Sequence, residues 1–171
     1  KSVFVDIKNK MVNTNLEVSL TFLQKSKLDK WSQFLRDGFP KMIEIFFDDN
    51  QEEFDLTPLI QFLEEVLQKQ KVKTPLNIIL TDNEEIQRLN RNFRAKDRIT
   101  DVLAFPWEED EFLGEIYISI PQVAKQAPDF GATFEQELLR VSLHGVLHLL
   151  GFDHIEKDDK IKMETIEEKY L

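Results

Sequence analysis

Cysteine is absent from this chain of 171 residues, which also contains only five glycines and three histidines. Without cysteine no disulfide can form, and a metal site must use imidazole, carboxylate or carbonyl groups instead of thiolates. No apolar run approaches the roughly 20 residues that cross a bilayer, and no secretory signal pattern is visible. We therefore expect a cytoplasmic protein with no membrane partner.

Charge is unevenly distributed along the chain. The net charge is −10, but residues 1–41 contain eight Lys or Arg against four Asp or Glu, so residues 42–171 carry the whole acidic surplus. The length and the 42% hydrophobic content suffice for one well-buried core. We expect one domain at residues 42–171, preceded by an appendage at residues 1–41 whose role the sequence leaves open.

Local patterns predict strands and helices that alternate at first and then give way to helices. Strands are predicted at residues 2–7, 42–48, 76–80, 101–105 and 112–119. Helices are predicted at residues 28–35, 57–70, 83–92, 121–127, 133–150 and 156–170. Thr57 is the expected cap of the second helix, and Thr81 or Asp82 that of the third. The order indicates an α+β fold or a small mixed α/β sheet covered by helices.

The three histidines lie within eleven residues. On a helix, His144 and His148 are four residues apart and share one face, so both imidazoles can point at one metal ion. Gly151 favours a chain reversal, after which His154 can supply a third ligand. Three neutral imidazoles leave the fourth position of Zn²⁺ open to water, which is typical of a catalytic site. Zinc is the expected metal, although nickel, copper or iron also accept nitrogen ligands.

A residue between the histidines bears on the reaction. The spacing matches the metzincin peptidase signature H-E-x-x-H-x-x-G-x-x-H, but Gly145 stands where those peptidases have their catalytic glutamate. Because that glutamate accepts a proton from the metal-bound water, its absence weakens a peptidase interpretation. Asp153 is either a hydrogen-bond acceptor for a ligand histidine or a turn residue.

A local basic patch interrupts the acidic part of the chain. Residues 88–98 contain one acidic residue, Asp97, and the basic residues Arg88, Arg91, Arg94, Lys96 and Arg98. Such a run is either a solvated helix end or a surface for a polyanion such as RNA.

Two blocks of the sequence resemble the YbeY family of bacterial endoribonucleases. Residues 144–154 meet every fixed position of that family's pattern H-G-x-L-H-L-x-G-[YF]-D-H, and residues 89–106 are similar to its L-N-x-x-[YF]-R-x-K-D-x-P-T-[DN]-V-L-[ST]-F-P. The chain departs from the family at Ile99, where proline is usual, at Ala104, where a small hydroxyl residue is usual, and at Glu115, where aspartate is common. The resemblance covers residues 42–171.

The resemblance implies a mixed, mostly parallel four-stranded sheet flanked by helices, with the metal bound on a metzincin-like helix. It also implies a divalent metal held by His144, His148 and His154, and Arg94 as the catalytic arginine. Arg94 suits that role because a guanidinium can donate two hydrogen bonds to a phosphate as negative charge develops. Arg91, Lys96 and Arg98 are expected to contact the RNA backbone.

The implied function is metal-dependent cleavage of single-stranded RNA. The biological setting would be maturation of ribosomal RNA, especially the 3′ end of the small-subunit species, together with ribosome quality control. We expect metal-activated water to attack a phosphate positioned by Arg94, unless the RNA 2′-hydroxyl is the nucleophile. The general base is open, with Glu115, Asp97 and Asp101 as candidates.

Two other functions stay open on the sequence. One is a non-catalytic ribosome-assembly factor, stabilised by its metal, whose acidic surface binds ribosomal proteins of the small subunit. The other is a zinc peptidase, which the glycine at position 145 disfavours. The sequence does not predict the cleavage-site preference, the native metal or the oligomeric state.

Overall fold

The structure, a computed structural model, describes residues 41–47, 55–107, 111–153 and 157–171, with the backbone alone at residues 157 and 158. Residues 42–171 form one compact unit. The strand predicted at residues 2–7 and the helix predicted at residues 28–35 lie outside the described residues, and so does His154.

Four strands form a single sheet in the order β1-β2-β4-β3. They are β1 (Ile43–Phe47), β2 (Leu76–Thr81), β3 (Val102–Pro106) and β4 (Gly114–Ser119). Strands β1, β2 and β4 are parallel, whereas β3 runs antiparallel to β4 at the edge. The described helices are α1 (Thr57–Lys69), α2 (Asn83–Arg94), α3 (Ile120–Gln126), a short 3₁₀ helix (Ala127–Phe130), α4 (Phe134–Leu149) and α5 (Lys157–Tyr170). The predicted α+β class with a mixed four-stranded sheet is confirmed.

The alternation of side chains along each strand divides the sheet into two faces. One register row crosses all four strands and packs towards α1, α3 and α4; its members are Ile45, Ile78, Ile116 and Ala104. On the opposite face, α2 packs Ile86 and Leu89 against the β3 residue Leu103. Helix α4 therefore lies on one side of the sheet and α2 on the other.

Helix α4 begins and ends as its sequence predicts. Thr133 caps it and forms a reciprocal capping box with Gln136, which satisfies two backbone donors of the first turn. At the other end the Gly151 N–H donates to the His148 carbonyl at 3.1 Å, and the Phe152 N–H donates to the Leu147 carbonyl at 3.0 Å. These two bonds form a Schellman motif, and the φ of +88° at Gly151 explains the glycine.

The other predicted caps had different outcomes. Asp82 caps α2, its carboxylate accepting from the Glu85 N–H at 2.8 Å, whereas Thr81 belongs to β2. The predicted cap Thr57 is wrong. Thr57 is already the first helical residue, and its N–H donates to the Asp55 carboxylate at 2.9 Å. Proline is common at the first position of a helix, so Pro58 suggested a cap one residue before it. In the structure Pro58 occupies the second helical position instead. No described helix has both the length and the apolar content that a bilayer crossing requires.

Candidate active site

Two half-buried histidine side chains of α4 converge on each other. The Nε2 atoms of His144 and His148 lie 3.1 Å apart, and the two rings are nearly perpendicular, with centroids 4.6 Å from each other. Ligand nitrogens about 2.0–2.1 Å from a tetrahedral Zn²⁺ would be roughly 3.3–3.4 Å apart. The spacing predicted from the sequence thus becomes a pair of nitrogens at nearly metal-binding separation.

The outer nitrogens show why this pair suits a cation. His148 Nδ1 lies 3.0 Å from the carbonyl oxygen of Phe152, and His144 Nδ1 lies 2.6 Å from Oε1 of Glu167. A carbonyl or carboxylate oxygen can only accept, so each Nδ1 is placed to donate, and in the tautomer that does so a neutral ring presents a lone pair at Nε2. Two lone pairs 3.1 Å apart repel unless a cation or a proton lies between them. The donor set therefore fits a metal ion.

Glu167 is a site residue that the sequence did not single out. Helix α5 contains several acidic residues, and its primary sequence gives no reason to choose this one. The choice follows from packing, because Met163 of α5 lies in one cluster with Leu143 and Leu147 of α4. Those leucines each precede a site histidine, and Glu167 is one turn after Met163. The apolar contact thereby sets the register that brings the carboxylate to His144.

The turn after α4 also contributes to the site. The Schellman motif at Gly151 directs the chain back, and the carbonyl of Phe152 then accepts from His148. The next residue described is Asp153, and the predicted third ligand His154 lies outside the described residues. The described residues contain no group of three metal-ligand side chains, since only two histidines fall within them.

Gly145 is a packing residue. A Cβ atom at this position would lie 2.7 Å from Cγ2 of Ile116 and 3.2 Å from a methyl of Val102. The position therefore faces the sheet. A glutamate here could not fit without moving β4, so close helix-to-sheet packing explains why the peptidase glutamate is missing.

Arg94 is the last residue of α2 and is followed by Ala95 in a left-handed conformation with φ +54°. The residue as a whole is exposed, but protein around the guanidinium desolvates it and thereby lowers its pKa. The negative charge of the Asp153 carboxylate raises the same pKa by a smaller amount. That electrostatic interaction connects the basic block with the turn that follows the histidine helix. The two sequence blocks thus come near each other through Arg94 and Asp153.

The other predicted RNA contacts lie on the surface beside Arg94. Arg91 is 3.4 Å from the Asp97 carboxylate, which also accepts from Gln87. Lys96 and Arg98 are exposed, and within the described ranges neither side chain forms an ion pair. Two of the three cations are therefore available to a polyanion.

The predicted acid or base candidates are placed apart from the histidines. Glu115 is buried on the face of the sheet opposite to α4, where it accepts a hydrogen bond from the Tyr117 hydroxyl at 3.0 Å. Asp101 accepts from the Val102 N–H and from Gln126. Among the described residues, the carboxylate that reaches a histidine is Glu167.

The structure also describes the other two positions at which the chain departs from the family pattern. Ile99 is exposed in the loop before β3, whereas Ala104 is buried in the core on the α4 side of the sheet. A hydroxyl at position 104 would therefore need a partner inside the core, and alanine removes that need.

Comparison with known proteins identifies the family. Residues 44–171 match the family model described as Endoribonuclease YbeY. The chain belongs to the YbeY family of endoribonucleases. A YbeY endoribonuclease from Thermotoga maritima is 45% identical over 114 residues, which cover 67% of this chain and 75% of the relative. The solution structure of TM1509 from Thermotoga maritima is 41% identical, with a TM-score of 0.58, and the match covers 75% of this chain and 86% of that one.

A longer match comes from the YbeY endoribonuclease of Fusobacterium nucleatum subsp. nucleatum. It is 34% identical over 168 residues, covering 91% of this chain and 94% of the relative. Because so large a share cannot fit within residues 42–171, the match extends into residues 1–41. Membership of the YbeY family makes this chain an endoribonuclease that acts on RNA and depends on a metal ion.

Proposed function

We propose that this chain is a single-strand-specific endoribonuclease whose metal, Zn²⁺, is held by His144, His148 and His154. The observation that carries the proposal is the pair of Nε2 atoms 3.1 Å apart, on two rings whose Nδ1 atoms each face an acceptor oxygen. Zinc suits this set because imidazole is a favoured ligand and no cysteine is present to compete. When bound, the metal would supply an activated water and a positive charge near the phosphate.

Each residue of the site has a separate task in this proposal. Glu167 and the Phe152 carbonyl hold the two rings in the tautomer that presents Nε2. Arg94 binds the scissile phosphate and stabilises the charge that develops there. Lys96 and Arg98, with Arg91, bind the flanking RNA backbone. Glu115 is assigned no proton transfer, because it lies on the opposite face of the sheet from α4. Asp153 keeps Arg94 near the turn.

The setting we propose is the cytoplasm, where the enzyme would mature the 3′ end of the small-subunit ribosomal RNA and act in ribosome quality control. The acidic surplus of residues 42–171 would suit contacts with basic ribosomal proteins of the small subunit. We further propose residues 42–171 as the endoribonuclease domain and residues 1–41 as an appendage of unknown role.

One experiment tests the site assignment. Zinc-loaded protein is incubated with an unstructured RNA and, separately, with a precursor that extends past the 3′ end of the small-subunit RNA. The variants are His144→Ala and Arg94→Ala, and Lys73→Ala serves as a control for the loss of an exposed cation. We expect cleavage by the unsubstituted protein and by the control, and little by the other two. Equal residual cleavage in all four samples would indicate a contaminating nuclease and overturn the proposal.

The products report the nucleophile. A 2′,3′-cyclic phosphate end indicates attack by the RNA 2′-hydroxyl, whereas a 3′-hydroxyl end with a 5′-phosphate on the other product indicates attack by water. Metal analysis of the same samples completes the test, because a protein that binds no zinc after reconstitution cannot contain the proposed site.

A further inference from the structure

An aromatic ring stands on the surface near the histidine pair. Phe130, the last residue of the 3₁₀ helix, is 63% exposed, a larger fraction than for any other described large apolar side chain. The guanidinium carbon of Arg140 lies 4.8 Å from the ring centroid, within the range of a cation–π contact. One face of the ring is therefore covered by the arginine, and the exposure leaves the other face in solvent.

The arginine beneath the ring is held firmly. Arg140 donates two hydrogen bonds to the Glu137 carboxylate, at 2.8 and 2.6 Å. Glu137 is 1% exposed and also accepts from Gln126 at 2.6 Å, and the same amide donates to Asp101 at 2.9 Å. The hydrogen bond with Glu137 raises the pKa of Arg140, so the cation stays charged. The ring thus rests on a buried network that links α3, α4 and the start of β3.

This support places the ring beside the proposed active site. Arg140 precedes His144 by four residues, so the two side chains share a face of α4 and are one turn, roughly 6 Å, apart along its axis. Glu167, which accepts from His144, also interacts electrostatically with Arg140. The aromatic ring therefore rests on a side chain one helical turn from His144, on the N-terminal side of the histidine pair, whereas Asp153 and Arg94 lie towards the C-terminal end of α4.

We propose that the solvent face of Phe130 is a stacking platform for one unpaired nucleobase of the RNA substrate. The proposal rests on the proposed function and names a subsite for it. A nucleobase fits better than a phosphate because Asp129 precedes the ring and the Arg140 charge is neutralised by Glu137. Every base has an uncharged π face, and stacking on aromatic side chains is the usual way in which proteins bind single strands.

The platform gives a physical reason for single-strand specificity. A base within a duplex already stacks on both sides, so it could reach Phe130 only after its pairing and stacking are broken. An unpaired base bears no such cost. The platform would therefore favour single-stranded RNA without reading any sequence.

The test measures RNA binding separately from cleavage. The full chain, with a chelator present to prevent cleavage, is titrated into a labelled single-stranded RNA. We compare Phe130→Ala and Phe130→Trp with Phe47→Ala, which removes a 40% exposed phenylalanine at the far edge of the sheet. We expect Phe130→Ala to weaken binding by about 5- to 100-fold, because stacking on an aromatic ring contributes in that range. Phe130→Trp should retain the affinity, and Phe47→Ala should have no effect.

A second measurement locates the base. Abasic sites are introduced one at a time along the RNA, and each oligonucleotide is titrated with the unsubstituted protein and with Phe130→Ala. At one position the abasic site should weaken binding to the unsubstituted protein but not to the variant, since both changes remove the same contact.

Failures of the two proposals can be told apart. If Phe130→Ala is folded by circular dichroism and binds RNA as tightly as the unsubstituted protein, the platform is overturned while cleavage dependent on Arg94 can still stand. If every abasic site affects both proteins equally, the platform is likewise overturned. A chain that neither binds nor cleaves single-stranded RNA overturns both proposals.

Discussion

The Glu167 carboxylate on α5 lies 2.6 Å from Nδ1 of His144 on α4, and both side chains are largely shielded from solvent. The two residues are 23 positions apart, and the third predicted metal ligand, His154, lies between them in the sequence. A contact between α4 and α5 thus orients one ring of the metal pair. The described residues of the site depend on this helix-to-helix packing as much as on the histidine spacing.

We expect Glu167→Ala to weaken zinc binding by about 10- to 100-fold, as is typical when the acceptor behind a ligand histidine is lost. Glu167→Gln should be milder because its amide oxygen can still accept from Nδ1. Zinc affinity measured by competition with a colorimetric chelator checks both. Glu168→Ala is the matched control, since that carboxylate is exposed on the same helix. Equal affinities for the Glu167→Ala and Glu168→Ala variants would show that the contact does not support the site.

Substitution of Gly145 by alanine should lower the free energy of unfolding. The new Cβ atom would lie 2.7 Å from Ile116 in the core, and overpacking of this kind costs roughly 1–3 kcal/mol. Alanine recovers about 1 kcal/mol of helix propensity, so we expect a net loss of up to about 2 kcal/mol. Urea denaturation measures this loss. An unchanged or higher urea midpoint would mean that Ile116 of β4 shifts to accommodate the new methyl group at little energetic cost.

Removal of the Arg94 guanidinium should act on the chemical step. We expect Arg94→Ala to lower kcat by about 10²–10³-fold with a small change in KM, because the cation would stabilise charge that develops in the transition state. Arg94→Lys should recover part of kcat, since lysine keeps the positive charge but cannot donate the bidentate pair of hydrogen bonds that a guanidinium makes to a phosphate. Steady-state cleavage of a short RNA provides both constants. A change confined to KM would instead place Arg94 among the residues that only bind RNA.

Lys96 and Arg98 should contribute to affinity through charge alone. We expect each alanine variant to reduce the slope of log K against log salt by about 0.7, the value for one contact to a single-stranded phosphate. Binding titrations at several salt concentrations measure the slope. Lys125→Ala, an exposed cation on α3, provides the control. Slopes that match the control would remove these two residues from the RNA surface.

Zinc binding should weaken in mild acid. Histidine imidazoles in general have a pKa near 6.5, and only the neutral ring coordinates a metal. Protonation therefore competes with zinc as the pH falls below about 6.5, and the loss should reverse when the pH is restored. Competition titrations at pH 7.5 and pH 5.5 provide the comparison. Constant affinity across that interval would contradict ligation by three histidines.

Much of the site could be predicted because its determinants are local. The four-residue separation of His144 and His148 and the glycine at 151 depend only on helix geometry and on the left-handed conformation that glycine accepts. The capping box of Thr133 and Gln136 is equally local, and the structure shows all of these features. The cap predicted at Thr57 was wrong because two neighbouring side chains, Asp55 and Thr57, could each serve.

Glu115 illustrates what the sequence could not predict. It lies in one of the strands next to the core, and only the alternation of side chains in the assembled sheet shows that it faces away from α4.

The sequence by itself determined the type of the proposed ligands, the helix that carries two of them, and the family to which the chain belongs. Tertiary structure decided which of many acidic residues supports His144, why position 145 must be glycine, and that an exposed phenylalanine stands on Arg140 beside the site. The physical reason is the range of the interactions. Helix geometry and caps act over four or five residues, whereas these contacts arise only when separate elements pack on one sheet.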